Sequence, residues 1–263
     1  MLRPRRRLIP LLLLDRRRRL VKTVGFDERT YIGDPFNVVR LFNEKEVDEL
    51  CLLDIDATID QRAPDAGFLG ELASECFIPL TYGGGITDVE QCCRLSRAGI
   101  EKFVVGTASL DETMMRSIAT ALGSQALVAC VDVKGSGDAA RCVVRSGKRV
   151  LDLGPTSLAV RAQNAGAGEI LLQSVDRDGA RSGMDIELIR QVSSSISLPT
   201  IAAGGAGQLT HLVEALASGA SAAASGSAFC FIGRLRAVLI SYPSDSQVLT
   251  AIKAQEYGHE RLP

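Results

Sequence analysis

The sequence contains no tryptophan, only two histidines and 5% aromatic residues. His211 and His259 are far apart and far from any group of cysteines, which argues against a structural zinc site. The 30 basic and 31 acidic residues leave a formal charge of −1, which excludes an overall basic surface for a nucleic acid. We therefore expect no metal ion, no other cofactor and no nucleic-acid partner.

Paired cysteine motifs and long apolar segments are also missing. The seven cysteines form no CxxC pair and mostly lie in apolar runs, a pattern typical of buried, reduced thiols in a cytosolic protein. The basic start MLRPRRR is followed by a short apolar stretch, 8–14, that contains Pro10 and runs into DRRRR, which argues against a signal peptide. No window approaches the roughly 20 apolar residues of a membrane helix. We expect a cytoplasmic protein with no membrane partner.

The second half of the chain repeats the pattern of the first. The 263 residues, 46% hydrophobic and 23% charged, suffice for one large or two ordinary globular domains. ELCLLDIDAT from Glu49 and EILLQSVDRD from Glu169 superpose at an offset of 169 − 49 = 120 residues. The same offset, without a gap, relates Pro79 to Pro199, Gly84 to Gly204, Gly85 to Gly205, Gly99 to Gly219, Gly106 to Gly226 and Thr107 to Ser227. This agreement predicts a duplicated half-domain.

Short apolar runs alternate with amphipathic stretches in both halves. The runs predict eight strands, at 7–14, 50–54, 78–82, 102–106, 126–132, 168–173, 199–203 and 221–225. Apolar residues at helical spacing lie between them, for example at 36–46, 88–98, 111–122, 184–195 and 208–218. Eight strand–helix units predict an α/β fold, a (βα)8 TIM barrel, in preference to an open doubly wound sheet.

The predicted barrel is one domain of two duplicated half-barrels, with an insert and a tail. The expected bounds are 1–243 for the barrel, about 1–122 and 123–243 for its halves, 133–155 for the insert and 244–263 for a peripheral C-terminal tail. Within the insert, RCVVRSGKRVLDLG predicts a β-hairpin after strand five that turns at Ser146 and Gly147.

Glycine pairs follow several predicted strands at the end of the barrel where active sites lie. Gly204-Gly205 and Gly226-Ser227 follow strands seven and eight, where backbone N–H groups can approach phosphate oxygens. The repeat places Gly84-Gly85 and Gly106-Thr107 at the equivalent positions of the first half. Two facing phosphate sites suit an elongated substrate with phosphate at both ends. Alternatively, these glycines serve only tight strand-to-helix turns.

Several carboxylates are predicted at the same end. Asp132 ends an apolar strand between the two phosphate sites and is the first candidate for a general acid or base, unless it caps the next element. Asp178, in DRDG, is the second candidate or else a turn residue. Asp54 and Asp56 are as compatible with a structural role as with a catalytic one. The run Arg16–Arg19 is either a solvated loop or extra charge for phosphate.

A combination of motifs extends across the chain: FNEKEVDELCLLDIDAT, IPLTYGGGI, GTAS, VDVKG, SVDRDG, AAGGAG and GSAF. Over roughly residues 5–240 the chain closely resembles the cyclase subunit of imidazole glycerol phosphate synthase. The related phosphoribosyl isomerase of histidine biosynthesis shares the duplicated barrel but fits these motifs less well.

The resemblance implies a heterodimer with a glutaminase subunit, the amidotransferase partner. In the family, ammonia released by the glutaminase crosses the barrel from its N-terminal face. At the C-terminal face it attacks a bisphosphorylated ribulosyl-formimino aminoimidazole carboxamide nucleotide, which yields imidazole glycerol phosphate and an aminoimidazole carboxamide ribotide.

The resemblance also assigns residues. The charged gate of the family's ammonia channel falls on Arg7, Glu49, Lys102 and Glu169, which could alternatively form a structural plug. The phosphate contacts of the family fall on Gly85 and Thr107 at one site and on Gly179, Gly205, Gly226 and Ser227 at the other. Lys22, a further phosphate-binding candidate, matches the family's loop-one lysine.

One catalytic position of the family departs from the pattern. The family uses aspartates at the ends of strands one and five, and only the second is present, as Asp132. The first falls on Leu13 when counted from Pro10 and on Leu14 when counted from Lys22, and the family's loop-one glycine is absent. Asp15 is adjacent and could act in its place.

Three functions are compatible with this departure. With Asp15 as a substitute, the chain is a divergent histidine-pathway cyclase. Otherwise it belongs with cyclase-like paralogues of surface-polysaccharide loci, which it resembles in LVKTV and YGGGI and which pass ammonia to an acetamidino-sugar amidotransferase. The third possibility is a non-catalytic barrel that only docks and activates a glutaminase.

Overall fold

The structure, a computed structural model, describes residues 6–233 and 237–259. The first half contains β1 (Arg7–Leu14), β2 (Leu20–Val24), β3 (Glu28–Gly33), α1 (Pro35–Glu44), β4 (Leu50–Asp54), α2 (Ala66–Ser74), β5 (Leu80–Gly83), α3 (Val89–Arg97), β6 (Lys102–Val105) and α4 (Glu112–Leu122). The second contains β7 (Leu127–Lys134), β8 (Arg141–Val144), β9 (Arg149–Val150), α5 (Pro155–Asn164), β10 (Glu169–Ser174), α6 (Ile186–Ser193), β11 (Thr200–Ala203), α7 (Leu209–Ala217) and β12 (Ala222–Ser225). It ends with α8 (Ser227–Cys230), β13 (Phe231–Ile232), β14 (Ala237–Val238) and α9 (Asp245–His259).

Eight parallel strands close into a barrel. They pair in the order β1, β4, β5, β6, β7, β10, β11, β12, and β12 returns to pair with β1. The last pairing aligns Arg7 with Ala222 and Ile9 with Ala224, so the sheet has no open edge along its main strands. The predicted (βα)8 TIM barrel is confirmed, and the open doubly wound sheet is excluded.

Each barrel strand is apolar on both faces because helices cover the outside and other strands face the inside. In β1, Leu8, Leu12 and Leu14 belong to the core under the helices, whereas Leu11 and Leu13 belong to the barrel interior. Aspartates that precede five helices accept a hydrogen bond from a backbone N–H of the first turn, which begins each helix at a defined residue: Asp34, Asp65, Asp88, Asp111 and Asp185.

Two antiparallel hairpins extend from the C-terminal ends of barrel strands. The hairpin β8–β9 follows β7 and turns through residues 145–148, where the sequence predicts a turn. The hairpin β2–β3, which pairs with the end of β1, was not predicted. Its strand LVKTV is short and directly follows four arginines, so alternation alone did not distinguish it from a loop.

Helix α9 lies in the tail, expected to form a short peripheral element, and it packs against α7. The last four residues of the tail, 260–263, lie outside the described residues. Within 6–233 and 237–259, the helices are too short or too polar for any of them to cross a membrane.

The duplication is visible in the contacts of two glycines. Gly84 and Gly204 both have a left-handed backbone, with φ of +118° and +91°. A Cβ atom would overlap the carbonyl oxygen of Asp54 at the first position and that of Ser174 at the second. Asp54 and Ser174 are themselves 174 − 54 = 120 residues apart. These two glycines therefore have a structural requirement that is independent of any ligand.

Gly84→Ala should lower the free energy of unfolding by about 3 kcal/mol or more, because it combines an unfavourable φ with a backbone overlap. Gly70→Ala is the matched control, since its Cβ would make only an ordinary contact with Ala98 inside α2. That variant should be neutral or more stable by up to about 1 kcal/mol. Chemical denaturation measures both, and equal stability of the two variants would contradict the argument.

Candidate active site at the barrel mouth

A cavity of about 660 Å³ opens at the C-terminal end of the barrel strands. It is large enough for a small-molecule substrate, and this end of such barrels carries the active site. The candidate residues at its wall are Asp54, Gly85, Thr107, Asp132 and Asp178. Leu11 and Leu13 of β1 line it as well, together with Gln173 of β10.

Asp132 lies at the C-terminal half of β7, on the same inward face as Cys130. The Cys130 thiol donates a hydrogen bond of 3.2 Å to Asp132 Oδ1. Burial raises the pKa of Asp132 to about 6, the Cys130 hydrogen bond opposes the rise, and the negative charge of Asp178 adds to it. A carboxyl group with this pKa exchanges a proton near neutral pH, as a general acid or base must.

Asp178 faces the same cavity from the loop after β10. Thr23 Oγ1 donates to Asp178 Oδ2 at 2.5 Å, and Gln173 Nε2 donates to Oδ1 at 3.3 Å. Burial raises the pKa of Asp178, whereas the Thr23 hydrogen bond and the Lys22 charge oppose the rise. Asp178 is therefore held in one orientation between the cavity and the neighbouring glycine pocket.

Asp15 does not line the cavity. Its Oδ1 accepts backbone hydrogen bonds of 2.9 Å from both Arg17 and Arg19, and its Oδ2 accepts bonds of 3.0 and 2.7 Å from the Arg19 guanidinium. Burial raises the pKa of Asp15, but the bonds from Arg19 and Arg17 outweigh it and hold the pKa below its usual value. These contacts stabilise the loop that follows β1 and favour a structural role for Asp15 over the replacement of the missing strand-one aspartate.

Leu13 is one of the two positions on which the family's strand-one aspartate falls. Side chains alternate between the two faces of a strand, and Leu13 faces the barrel interior in line with Leu11. Leu14 belongs to the core under the helices. Of the two possible registers, the one on Leu13 places a side chain in the cavity, and that side chain is apolar.

The arginine run and the aspartates after β4 form ion pairs at the rim. Arg16 contacts Asp60 at 3.2 Å, and Arg18 pairs with Asp65. Asp54 accepts a two-pronged bond from Arg62 at 2.9 and 3.1 Å, and Asp56 accepts one from Arg29 at 2.7 and 2.8 Å. The Arg29 hydrogen bond lowers the pKa of Asp56 to about 2. These contacts favour the structural alternative for Asp54 and Asp56. In the run Arg16–Arg19, three arginines are paired with carboxylates of the protein: Arg16, Arg18 and Arg19.

The two residues predicted for the first phosphate site come together at one side of the cavity. Gly85 and Thr107 both line it, close to the turn of the hairpin β8–β9. The Thr107 hydroxyl oxygen accepts a hydrogen bond of 3.0 Å from the backbone N–H of Arg145. Arg145 and Ser146 line the same side and were not singled out from the sequence.

The four residues predicted for the second phosphate site line a narrow pocket beside the cavity: Gly179, Gly205, Gly226 and Ser227. Lys22 lines the same pocket. The Lys22 ammonium group is buried and donates to the carbonyl oxygen of Leu11. A Cβ on Gly226 would overlap this ammonium group, so glycine is needed for the lysine to lie there. Burial lowers the pKa of Lys22, which the charge of Asp178 partly offsets.

The four predicted gate residues form one closed ring at the opposite end of the barrel. Arg7 bonds to Glu49 at 2.6 Å and also to Glu169, while Lys102 bonds to both glutamates at 3.0 Å. Thr81 donates to the second oxygen of Glu49 at 2.7 Å. Both glutamates are almost fully buried, whereas the two cations are about one-fifth exposed. Charges of opposite sign therefore alternate around the ring.

Between this ring and the cavity, the barrel interior is apolar. Its side chains come from every barrel strand except β5: Ile9, Leu11, Leu13, Cys51, Val104, Val128, Leu171, Ile201, Ala203, Ala222 and Ala224. Leu11, Val104 and Leu171 also line the cavity. The cavity thus reaches down to the apolar layers above the charged ring.

Three further residues line the cavity and were not predicted from the sequence: Gln173, Arg145 and Cys130. Gln173 aligns with Asp132 across the β7–β10 pairing, and a polar residue in an apolar strand was the available signal. No sequence signal distinguished Arg145 from its exposed basic neighbours, because only the folded hairpin brings it to the cavity.

These observations define a (βα)8 barrel with a buried carboxylate and glycine-lined pockets at the mouth and a charged ring at the base. The chain belongs to the histidine biosynthesis protein family, whose family model matches residues 7–235. Within it, the chain is of the HisF type, similar to subunits named for imidazole glycerol phosphate synthase.

Three relatives illustrate the similarity. A protein of Pseudomonas aeruginosa with the provisional name imidazole glycerol phosphate synthase subunit hisF2 is 46% identical over 242 residues, 91% of this chain and 96% of that protein. A provisionally named HisF subunit of Leptospira interrogans is 41% identical over 248 residues, 93% of this chain and 96% of that protein. The imidazole glycerol phosphate synthase subunit HisF of a Nocardioides species is 38% identical over 239 residues, 88% and 92% of the two chains.

Asp132→Asn should change how stability depends on pH. Because the folded protein holds the Asp132 proton more tightly than the unfolded chain, Asp132 favours folding below about pH 4, and this contribution is lost as the pH rises through about 6. We expect the variant to unfold like the unaltered protein near pH 4 and to be more stable by about 2 kcal/mol above pH 7. Chemical denaturation across this range measures the difference.

Asp152→Asn is the control, because Asp152 is a fully exposed carboxylate of the same insert. It should show no comparable pH-dependent gain. A constant stability difference between Asp132→Asn and the unaltered protein from pH 4 to pH 8 would refute the raised pKa.

Proposed function

We propose that the chain is the ammonia-using cyclase subunit of a glutamine amidotransferase complex of the imidazole glycerol phosphate synthase type. The proposal depends on one observation: the charged ring and the cavity that contains Asp132 lie at opposite ends of the same barrel. A ring of four alternating charges lies at the base, and Asp132 lies in a phosphate-site cavity at the mouth. Ammonia that enters through the ring would meet the substrate beside this carboxylate.

The two glycine-lined sites support a substrate with phosphate at both ends. Gly85 and Thr107 lie on one side of the mouth, and Gly205 and Ser227 lie on the other beside Lys22. In the proposed reaction, the ribulosyl-formimino nucleotide extends from one glycine-lined site to the other, and its reacting carbons lie near Asp132. Attack by ammonia, loss of one water molecule and ring closure with cleavage of the formimino C–N bond yield imidazole glycerol phosphate and the aminoimidazole carboxamide ribotide.

Asp132 is the proposed general acid and base of this reaction. Its pKa of about 6 allows the carboxylate to accept a proton from the attacking nitrogen and to return one to the leaving group. Asp178 stays a secondary candidate, because Thr23 and Gln173 already donate to its two oxygens. With Leu13 in the cavity, a single acid–base group serves the centre.

The base of the barrel suits the proposed glutaminase partner. Phe77, in the loop that leads into β5, is 85% exposed at the same end as the charged ring. Its backbone N–H donates to the side chain of Asn43 at 3.1 Å, which holds this loop against the end of α1. A large exposed aromatic side chain beside a channel entrance is a typical anchor for a partner protein.

A second candidate function is the delivery of ammonia to a separate enzyme that makes an acetamidino sugar. The apolar Leu13 in the cavity favours it, because the family's cyclase chemistry uses a carboxylate on strand one. The preserved phosphate-site residues favour the cyclase. A barrel that only activates a glutaminase is the remaining outcome of the experiment below.

Purified protein should convert the ribulosyl-formimino nucleotide in excess ammonium at alkaline pH, followed spectrophotometrically. Loss of one acid–base group costs roughly 10²- to 10⁴-fold in rate, so turnover should be slow, and Asp132→Asn should reduce it by a similar factor. Leu13→Asp should increase it. Asp152→Asn, a change of an exposed carboxylate, should have no effect.

Turnover that Asp132→Asn leaves unchanged would contradict a catalytic Asp132 and favour the glutaminase activator. Binding of the nucleotide without turnover, and without any gain in Leu13→Asp, would instead favour the delivery of ammonia to a sugar-processing enzyme.

Lys102→Ala should impair turnover that depends on glutamine but not turnover with free ammonium. Removal of Lys102 leaves Glu49 and Glu169 with Arg7 alone and opens the ring. With the glutaminase subunit and glutamine, we expect turnover to fall about tenfold or more, while turnover with free ammonium is retained. Lys253→Ala, on the exposed face of α9, is the control. Equal glutamine-dependent rates in both variants would favour the structural plug.

A further inference from the structure

The turn of the hairpin β8–β9, defined here as the hairpin tip (residues 145–148), is attached to two loops of the barrel mouth. The backbone N–H of Arg145 donates to the Thr107 hydroxyl oxygen at 3.0 Å. The Ser146 hydroxyl donates to the carbonyl oxygen of Ile55 at 2.9 Å. The hairpin tip therefore bridges the loops that follow β4 and β6 and covers one side of the cavity.

The backbone of the hairpin tip is strained. Arg145 and Ser146 have φ of +54° and +53°, and Gly147 follows with +77°. Non-glycine residues adopt this left-handed region at a cost, so it persists where surrounding contacts require it. Here the bonds to Thr107 and Ile55 supply those contacts. Arg145 thereby lines the cavity on the side where Gly85 and Thr107 lie.

Arg145 differs from the other cations of the cavity wall. Arg29 and Arg62 also line the cavity, but each forms a two-pronged bond to a buried aspartate. Within residues 6–233 and 237–259, no carboxylate lies within salt-bridge distance of Arg145. An anion beside Gly85 and Thr107 would thus find one guanidinium group that no carboxylate neutralises. Guanidinium groups bind phosphate through two parallel hydrogen bonds.

We propose that Arg145 is a specificity-determining residue that binds the phosphate group at the first site. Its backbone N–H occupies a lone pair of the Thr107 hydroxyl, which leaves the hydroxyl hydrogen to donate to the same phosphate. One residue thereby binds the anion with its side chain and orients a second donor with its main chain. This inference rests on the phosphorylated substrate of the proposed function.

Arg145→Asn tests the proposal with little effect on the backbone. Asparagine tolerates the left-handed region and keeps the N–H that binds Thr107, so the variant loses the guanidinium group but keeps the turn. The control is Lys148→Asn, which makes the same change in charge at an exposed residue of the hairpin tip outside the cavity lining. Lys22→Ala identifies the contribution of the second site.

Inorganic phosphate is the probe, and titration calorimetry measures its affinity for the full chain. We expect two binding sites, with one weakened about 10- to 100-fold in Arg145→Asn and the other weakened in Lys22→Ala. Lys148→Asn should match the unaltered protein, and Arg145→Lys should be intermediate because it keeps the charge without the planar fork. With the nucleotide substrate, Arg145→Asn should raise KM at an unchanged kcat.

The outcomes separate this inference from the proposed function. Two phosphate sites with equal affinity in Arg145→Asn and the unaltered protein would overturn the role of Arg145 and leave the bisphosphorylated substrate supported. Absence of phosphate binding by the unaltered protein would overturn both. An equal loss in Lys148→Asn would show a general effect of surface charge and refute a specific contact.

Discussion

The pairing of β12 with β1 is the interaction on which the rest of the structure depends. It closes the parallel sheet and brings the first residues of all barrel strands to one end and their last residues to the other. Glu49 and Glu169, 120 residues apart, can then share Arg7 and Lys102 in one ring. At the opposite end, Asp132 and Thr107 reach the same cavity. An open sheet would separate these groups by the width of several strands.

The barrel divides its buried carboxylates into two groups according to their partners. Asp15, Asp54 and Asp56 each form a salt bridge with an arginine. Asp132 and Asp178 have no arginine partner in the described structure, and burial raises the pKa of both. The first group stabilises loops through ion pairs, whereas Asp132, with a pKa of about 6, exchanges a proton near neutral pH. This contrast, and not proximity to the strand ends alone, distinguishes the candidate acid–base residues.

Much of the fold was predictable because the second half of the sequence repeats the glycine spacing and the apolar pattern of the first half. The offset of 120 residues predicts which glycines are equivalent, and in Gly84 and Gly204 the same backbone overlap excludes a side chain. Alternating apolar runs predict the eight barrel strands closely. The hairpin β2–β3 was missed because its pairing with the end of β1 is a tertiary contact, which a short alternating run after four arginines does not reveal.

By itself, the sequence determined the strand–helix order, the duplication, and the residue types of the ring and the two glycine sites. The strand–helix order, the duplication and the glycine pairs follow from local periodicity and spacing, whereas the ring residues follow from the resemblance to the family. Only the tertiary structure decided that Leu13 faces the cavity, that Asp15 is held by Arg19, and that Arg145 reaches Thr107. A shift of one residue in strand register moves a side chain from one face of the sheet to the other. The position of a loop carboxylate or of a hairpin turn depends on long-range hydrogen bonds. Neither the strand register nor these long-range hydrogen bonds can be predicted from the neighbouring residues in the sequence.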